Sequence, residues 1–149
     1  MDDVIRLFNR HRVRYLLIGG QAVRLEGMPR FTMDWDFYVP ARDAVNIEKI
    51  NRLLADELDA PLLPLGPHGE NFVQTYQTRW GIIQFHLGGV GLPAFDKAEK
   101  QTVVHVTETG ARARCMCTKD LIASKKRAGR PQDLLDVEFL KRKTAASSS

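Results

Sequence analysis

Two carboxylates two residues apart, Asp34 and Asp36, stand in the run Arg30-Phe31-Thr32-Met33-Asp34-Trp35-Asp36-Phe37-Tyr38-Val39. Met33 to Val39 reads as a strand, because Trp35, Phe37, Tyr38 and Val39 are strand formers and Pro40 stops the run. Residues two apart on a strand share a face, so the two acids stand side by side, roughly 7 Å apart at the backbone. Like charges held that close need a compensating cation, and a hard divalent metal such as Mg²⁺ suits a carboxylate pair. Arg30 and Thr32 alternate with the acids. The strand reading therefore lines up an arginine, a hydroxyl and two carboxylates, a row able to take a metal-bound triphosphate. A solvent-facing polar strand with the same alternation is the plainer alternative.

The element before it supports the first reading. Val13 to Ile18 is a short apolar strand that delivers Gly19-Gly20 to a helix spanning Gln21 to Glu26. Glycine lets a backbone approach a ligand closely, and a helix start offers free N–H groups to phosphate. A glycine pair after a strand is also a common structural turn, so the weight lies in its combination with the acids.

The remaining elements must hold these residues. An amphipathic helix near Asp3 to His11 turns Val4, Leu7 and Phe8 inward. Arg42 or Asp43 opens a long helix to about Leu58, with Val45, Ile47, Ile50, Leu53, Leu54 and Leu58 at helical spacing. Pro61 to Gly69 is a loop, Asn71 to Thr78 and Gly81 to Leu87 form a hairpin turning at Arg79-Trp80, and Gly88 to Pro93 is a second loop. Thr102 to Thr107 and Arg112 to Cys117 are two further strands. Thr118 caps a helix over Asp120 to Ala128, Gly129-Arg130-Pro131 breaks it, and Gln132 to Lys141 is the last helix. The Thr144 to Ser149 tail is small and polar and is expected to be disordered, leaving residues 1–143 as one minimal domain.

Composition agrees with one compact unit. The chain has 149 residues, 44% of them hydrophobic. Its two cysteines, Cys115 and Cys117, are poorly placed to bond each other from one strand face. Met1-Asp2-Asp3 is acidic and no long apolar run follows, so neither a secretory leader nor a membrane span is expected, and the reading is a reduced, cytoplasmic protein. Ala111 to Lys143 carries ten Lys or Arg against four Asp or Glu, so the net charge of +4 belongs to the C-terminal third. Such a flank suits a nucleoside triphosphate; nucleic acid, or a merely solvated helix face, fits the charge equally.

With these residues in view, the chain resembles the nucleotidyltransferase superfamily, the polymerase-beta-like fold, and within it the small bacterial proteins grouped with the abortive-infection toxin nucleotidyltransferases. The pattern hGG-x-A…R-x-T-x-D-h-D is matched by Ile18-Gly19-Gly20-Gln21-Ala22 and by Arg30 to Asp36. The closing pattern L-I-x-x-K-x-x-x-x-R-x-x-D-x-x-D is matched by Leu121-Ile122-Ala123-Ser124-Lys125 and Arg130 to Asp136. The resemblance covers Val13 to about Leu140. It implies an α+β fold, a small mixed sheet of about five strands with helices mainly on one face. It also implies transfer of a nucleoside monophosphate from a nucleoside triphosphate such as ATP to a hydroxyl on a protein, RNA or small molecule, within a toxin–antitoxin or defence system. Asp34 and Asp36 would hold two Mg²⁺ ions, and Gly19, Gly20, Arg30, Thr32 and Lys125 would bind the nucleotide. A homo-oligomer or partner protein would supply the acceptor surface that larger members build from an added domain.

The chain departs from that pattern at Ile82-Ile83-Gln84-Phe85-His86, where active members present a third carboxylate and this one presents Gln84. Glutamine cannot act as a general base and is a weaker metal ligand. His86, on the same strand face, is the substitute base or ligand, unless it is an ordinary half-buried strand histidine. Lys125 either neutralises phosphate or is a surface lysine in Lys125-Lys126-Arg127. Arg130 and Asp133 are read as a salt bridge joining the last two helices. The alternative to an enzyme is a degenerate, non-catalytic member that binds nucleotide or a partner.

Overall fold

The computed structural model describes residues 1–147. The elements are α1 (Asp2–Arg10), β1 (Leu16–Ile18), α2 (Gly19–Leu25), β2 (Asp34–Tyr38), α3 (Ala44–Leu53), β3 (Val73–Thr78), β4 (Gly81–His86), α4 (Phe95–Glu99), β5 (Val103–Val106), β6 (Arg112–Cys115), α5 (Thr118–Ala128) and α6 (Pro131–Ser147). One mixed sheet runs in the order β3-β4-β2-β1-β6-β5. β1 is antiparallel to β2 and parallel to β6, and β2 is parallel to β4. The α+β class and mixed sheet agree with the sequence reading. Among the described residues the sheet holds six strands, close to the five or so expected, with β6 pairing with β1 and carrying its hairpin partner β5 into the same sheet.

Phe37 organises the core. It pairs with Leu17 of β1 on one side and Phe85 of β4 on the other. α1 buries Val4, Ile5 and Phe8, and the Phe8 ring meets Phe37 edge-on at 5.6 Å. Tyr15 and Phe85 complete the cluster at 5.7 and 6.0 Å from Phe37. Each such ring removed from water contributes about 2–3 kcal/mol. Because Phe37 faces α1, its strand neighbours Asp34 and Asp36 must point to the other face.

Several boundaries differ from the sequence reading for local reasons. α1 ends with His11 as its cap and Arg12 at φ 56°, while the N–H groups of Arg12 and Val13 donate to the carbonyls of Asn9 and Phe8. This is the Schellman arrangement, in which the left-handed position usually carries glycine; an L side chain there costs about 1–2 kcal/mol. β1 starts at Leu16, not Val13, because the Arg14 backbone is claimed by the Asn46 side chain in two hydrogen bonds of 2.7 and 2.9 Å. β2 starts at Asp34, so Arg30 and Thr32 precede the strand instead of belonging to it. α3, capped by Asp43 through the Asn46 N–H, closes at Leu53, and Val45 is exposed. The five-residue α4 carries Phe95, which packs edge-on to Tyr38 at 5.2 Å. No apolar periodicity announces so short a helix.

The expected tail disorder is corrected by α6, which continues through Ser147, with the Thr144 hydroxyl donating to the Leu140 carbonyl. Ser148 and Ser149 lie outside the described residues. Cys115 ends β6, while Cys117 lies beyond the strand as the residue before α5, and both thiols are free. Burial pushes the Cys115 thiol up to about 12. No helix among the described residues is long and apolar enough to cross a membrane.

Glu26 ties the end of α2 to three distant elements, β5, α5 and α6. Its carboxylate accepts from His105 Nε2 at 3.0 Å, Thr118 Oγ1 at 3.1 Å and Lys143 Nζ at 2.5 Å. Foremost the His105 hydrogen bond, then Lys143, outweighs burial and holds the Glu26 carboxyl at about 2. A lowered carboxyl stabilises the fold above its unfolded value near 4.5 and loses that contribution as pH falls towards 2. Glu26→Gln is therefore expected to cost on the order of 2–3 kcal/mol at pH 7. The difference between variant and parent in urea midpoints should shrink between about pH 4.5 and 2. An equal deficit at every pH would contradict the ion-pair account.

Candidate functional site

The Ile18 to Asp36 pairing puts the Gly19-Gly20 turn directly against the acid pair. Gly19 has φ +69°, and a Cβ there would stand 2.4 Å from Asp36 Oδ2. A Cβ on Gly20 would stand 3.0 Å from Thr32 Oγ1 and 3.1 Å from Arg30 Cζ. The glycines are thus needed first for close approach by the chain's own site residues. Arg30 and Thr32 reach the site from the loop before β2, so the residues expected in one strand row converge by packing on the turn instead.

The parallel register of β2 and β4 sets Gln84 beside Asp36 and His86 beside Tyr38. His86 Nε2 lies 2.7 Å from Asp36 Oδ1. Asp34 and the Gln84 amide have no hydrogen-bond or ion-pair partner among the described residues. These side chains face a cleft of about 610 Å³, whose other walls include Phe72, Val90 and Leu92 and the charged residues of α5 and α6.

Those charges form a network. Asp136, fully buried, accepts from Arg30 Nη1 through both oxygens at 2.8 and 2.6 Å, and from Gln132 Nε2 at 2.9 Å. Lys125 Nζ lies 2.9 Å from Asp136 and 3.2 Å from Asp133. Lys125 is buried, which removes the surface-lysine alternative. Arg130 donates from Nε to Asp133 at 2.7 Å, and the same carboxylate accepts the Arg130 backbone N–H at 3.1 Å. That contact starts α6, with Pro131 in the first helical position. Gly129, left-handed at φ 67°, ends α5 and turns α6 back so that its acids meet Lys125. Burial works against ionisation of Asp133, yet the hydrogen bonds from Arg130 and Lys125 hold its carboxyl below the ordinary value.

Among the described residues Arg30 Nε is buried without a partner, and Nη2 is the free donor of its fork. Among the described residues no group of three or more His, Cys, Asp or Glu is arranged to hold a metal ion. The sequence reading gave no role to Asp136. Its spacing after Asp133 in the closing pattern was the available signal, but its partner Arg30 lies 106 residues away.

This arrangement of helices and mixed sheet has a counterpart among solved structures. The solved structure of the lincosamide antibiotic adenylyltransferase LnuA, with lincomycin bound, superposes with a TM-score of 0.57 at 16% sequence identity, covering 93% of this chain and 92% of that one. No family model and no curated protein matches the sequence.

Removing the buried acid should expose how much the network holds. Asp136→Ala leaves Arg30 without its ion partner and Lys125 with one of two. A loss of about 3–5 kcal/mol is expected in urea unfolding. Leu134→Ala, at an exposed position of the same helix, should stay within about 0.5 kcal/mol. Equal effects from the two would refute the assignment.

Proposed function

We propose that this chain is a metal-dependent nucleotidyltransferase, moving a nucleoside monophosphate from a nucleoside triphosphate such as ATP to an acceptor hydroxyl on a protein, RNA or small molecule. The observation that carries this reading is that one cleft is lined by two carboxylates, Asp34 and Asp36, and by three cations, Arg30, Lys125 and Arg130. Asp34 and Asp36 suit one hard divalent cation, which when bound would offset phosphate charge, with phosphate and water oxygens completing its shell. Gln84 offers a second ion only an amide oxygen.

The chain's own residues supply the rest. The free Nη2 of Arg30 and the Thr32 hydroxyl, both packed on Gly20, are donors for phosphate oxygens, and Arg130, largely exposed, adds charge at the mouth. Lys125 adds positive charge from within its two carboxylates. With Nε2–H donated to Asp36, His86 keeps Nδ1 as a lone pair able to take the acceptor proton. The acceptor oxygen then bonds to the α-phosphorus, the bond to the β-phosphate oxygen breaks, and pyrophosphate leaves. Phe72, Val90 and Leu92 give an acceptor an apolar wall. The fold shared with an adenylyltransferase that has lincomycin bound supports a small-molecule hydroxyl among the acceptors considered. A toxin–antitoxin or defence setting rests on the motif resemblance alone.

A second reading, a non-catalytic nucleotide-binding member, is favoured by one observation: Gln84 stands beside Asp36 where a third carboxylate is expected. The two are separated by pyrophosphate release from ATP with Mg²⁺. An enzyme should lose all release on Asp34→Ala or on chelation, and about a hundredfold or more on His86→Gln. Nucleotide binding without release, converted to turnover by Gln84→Asp, would establish the second reading.

A further inference from the structure

A second cleft, of about 490 Å³, opens at the far end of the strands between α1, α4 and the β5–β6 hairpin. Its lining includes Arg12, Arg14, Arg112, Arg114, Glu99 and Val104. Arg14 is fully engaged, with Asp43 at 3.0 Å, Asp96 at 2.7 Å and Glu99 at 2.9 Å. Glu99, the acid of the cleft, is thereby spent. Arg12, Arg112 and Arg114 have no ion pair and no side-chain hydrogen bond among the described residues. Three guanidinium groups therefore converge on one opening with no acid to offset them.

Arg12 adds an independent observation. It occupies the left-handed position that closes α1, where glycine would be relaxed and an arginine is strained. Among the described residues its side chain makes no hydrogen bond and no ion pair that would offset this cost. Its place on the cleft gives the strain a use.

We propose that this cleft docks the phosphate backbone of a nucleic-acid strand, a function separate from nucleotidyl transfer. Arg112 and Arg114 project from one face of β6, about 7 Å apart, a spacing close to that of successive phosphates on an extended strand. Guanidinium forks pair with phosphate through two parallel hydrogen bonds, and Arg12 on the neighbouring element extends the row. No aromatic side chain lines the cleft, so it holds the backbone and reads no bases. Val104, exposed on β5 opposite Arg114, offers an apolar contact to sugar.

The test is fluorescence anisotropy of a labelled, unstructured single-stranded RNA with the full chain across a salt series. Neutralising three phosphates predicts that log affinity falls with log salt at a slope of about 2. Arg112→Gln with Arg114→Gln should weaken binding at least about tenfold and cut the slope by more than half. Arg12→Gly should weaken binding several-fold while the melting temperature holds or rises by about 2–4 °C. Lys141→Gln, an exposed lysine of α6 outside this cleft, should bind as the parent does. Loss of binding together with gain of stability in one variant cannot come from misfolding. The proposal is overturned if RNA does not bind, or if the arginine variants bind it as the parent does. It also fails if inorganic tripolyphosphate binds as tightly as RNA, marking a small-anion site, or if polyglutamate competes equally, marking a site for acidic protein.

Discussion

The antiparallel pairing of β1 with β2, Ile18 opposite Asp36, is the constraint on which the site depends. It brings the end of one strand against the acids of the next, and only a residue without a Cβ can stand there. Gly19 admits the Asp36 carboxylate and Gly20 admits Thr32 and Arg30. An alanine at either place would push apart the groups that face the cleft, and at Gly19 it would also sit in a left-handed conformation. The same pairing fixes the core, since Leu17 and Phe37 face each other under α1 when Ile18 and Asp36 do so above it. Side-chain alternation on β2 therefore separates an aromatic interior from a charged surface within five residues.

A buried acid joins this surface to the C-terminal helices. Asp136 accepts Arg30 from the loop before β2 and Lys125 from α5, so one carboxylate links three parts of the chain. Such a group stabilises little by itself, because desolvation offsets much of the attraction. Its effect is to specify an arrangement: any other packing of α5 on α6 strands at least one charge away from water. The left-handed turn at Gly129 and the contact of Asp133 with the Arg130 backbone make that arrangement local and repeatable. Two cations of the basic C-terminal third, Lys125 and Arg130, are held in this way, and Lys143 is likewise held by Glu26.

What could be read from the sequence is what local chemistry dictates. The acid pair, the glycine turn, the hairpin at Arg79-Trp80 and the α5–α6 break each rest on neighbouring residues, and each is found. The alternation of Arg30 and Thr32 with the acids predicted the right neighbours through the wrong geometry, because packing on Gly20 mimics the periodicity of a strand. The role of Asp136 was out of reach, as were the claim of Asn46 on the Arg14 backbone and the partners of Glu26. Those contacts depend on how distant segments meet, and single residues do not encode it. The helical tail was missed for the opposite reason. Small polar residues have no apolar stripe, yet an existing helix extends over them at low cost once nucleated.

The pairing of β2 with β4 decides the electrostatics of the cleft. A carboxylate at position 84 would stand beside Asp36 and add a third like charge to a face that already holds two. Such a triad is stable only with cations drawn in to offset it. Gln84 removes that charge, and His86 contacts Asp36 Oδ1. Asp36 is thus partly satisfied by the protein itself, whereas Asp34 has no partner among the described residues. An acid pair whose members differ in this way asks less of a cation than three carboxylates do. The consequence is a cleft organised around one free carboxylate, one carboxylate shared with an imidazole, and the cations Lys125 and Arg130 held by the acids of α6.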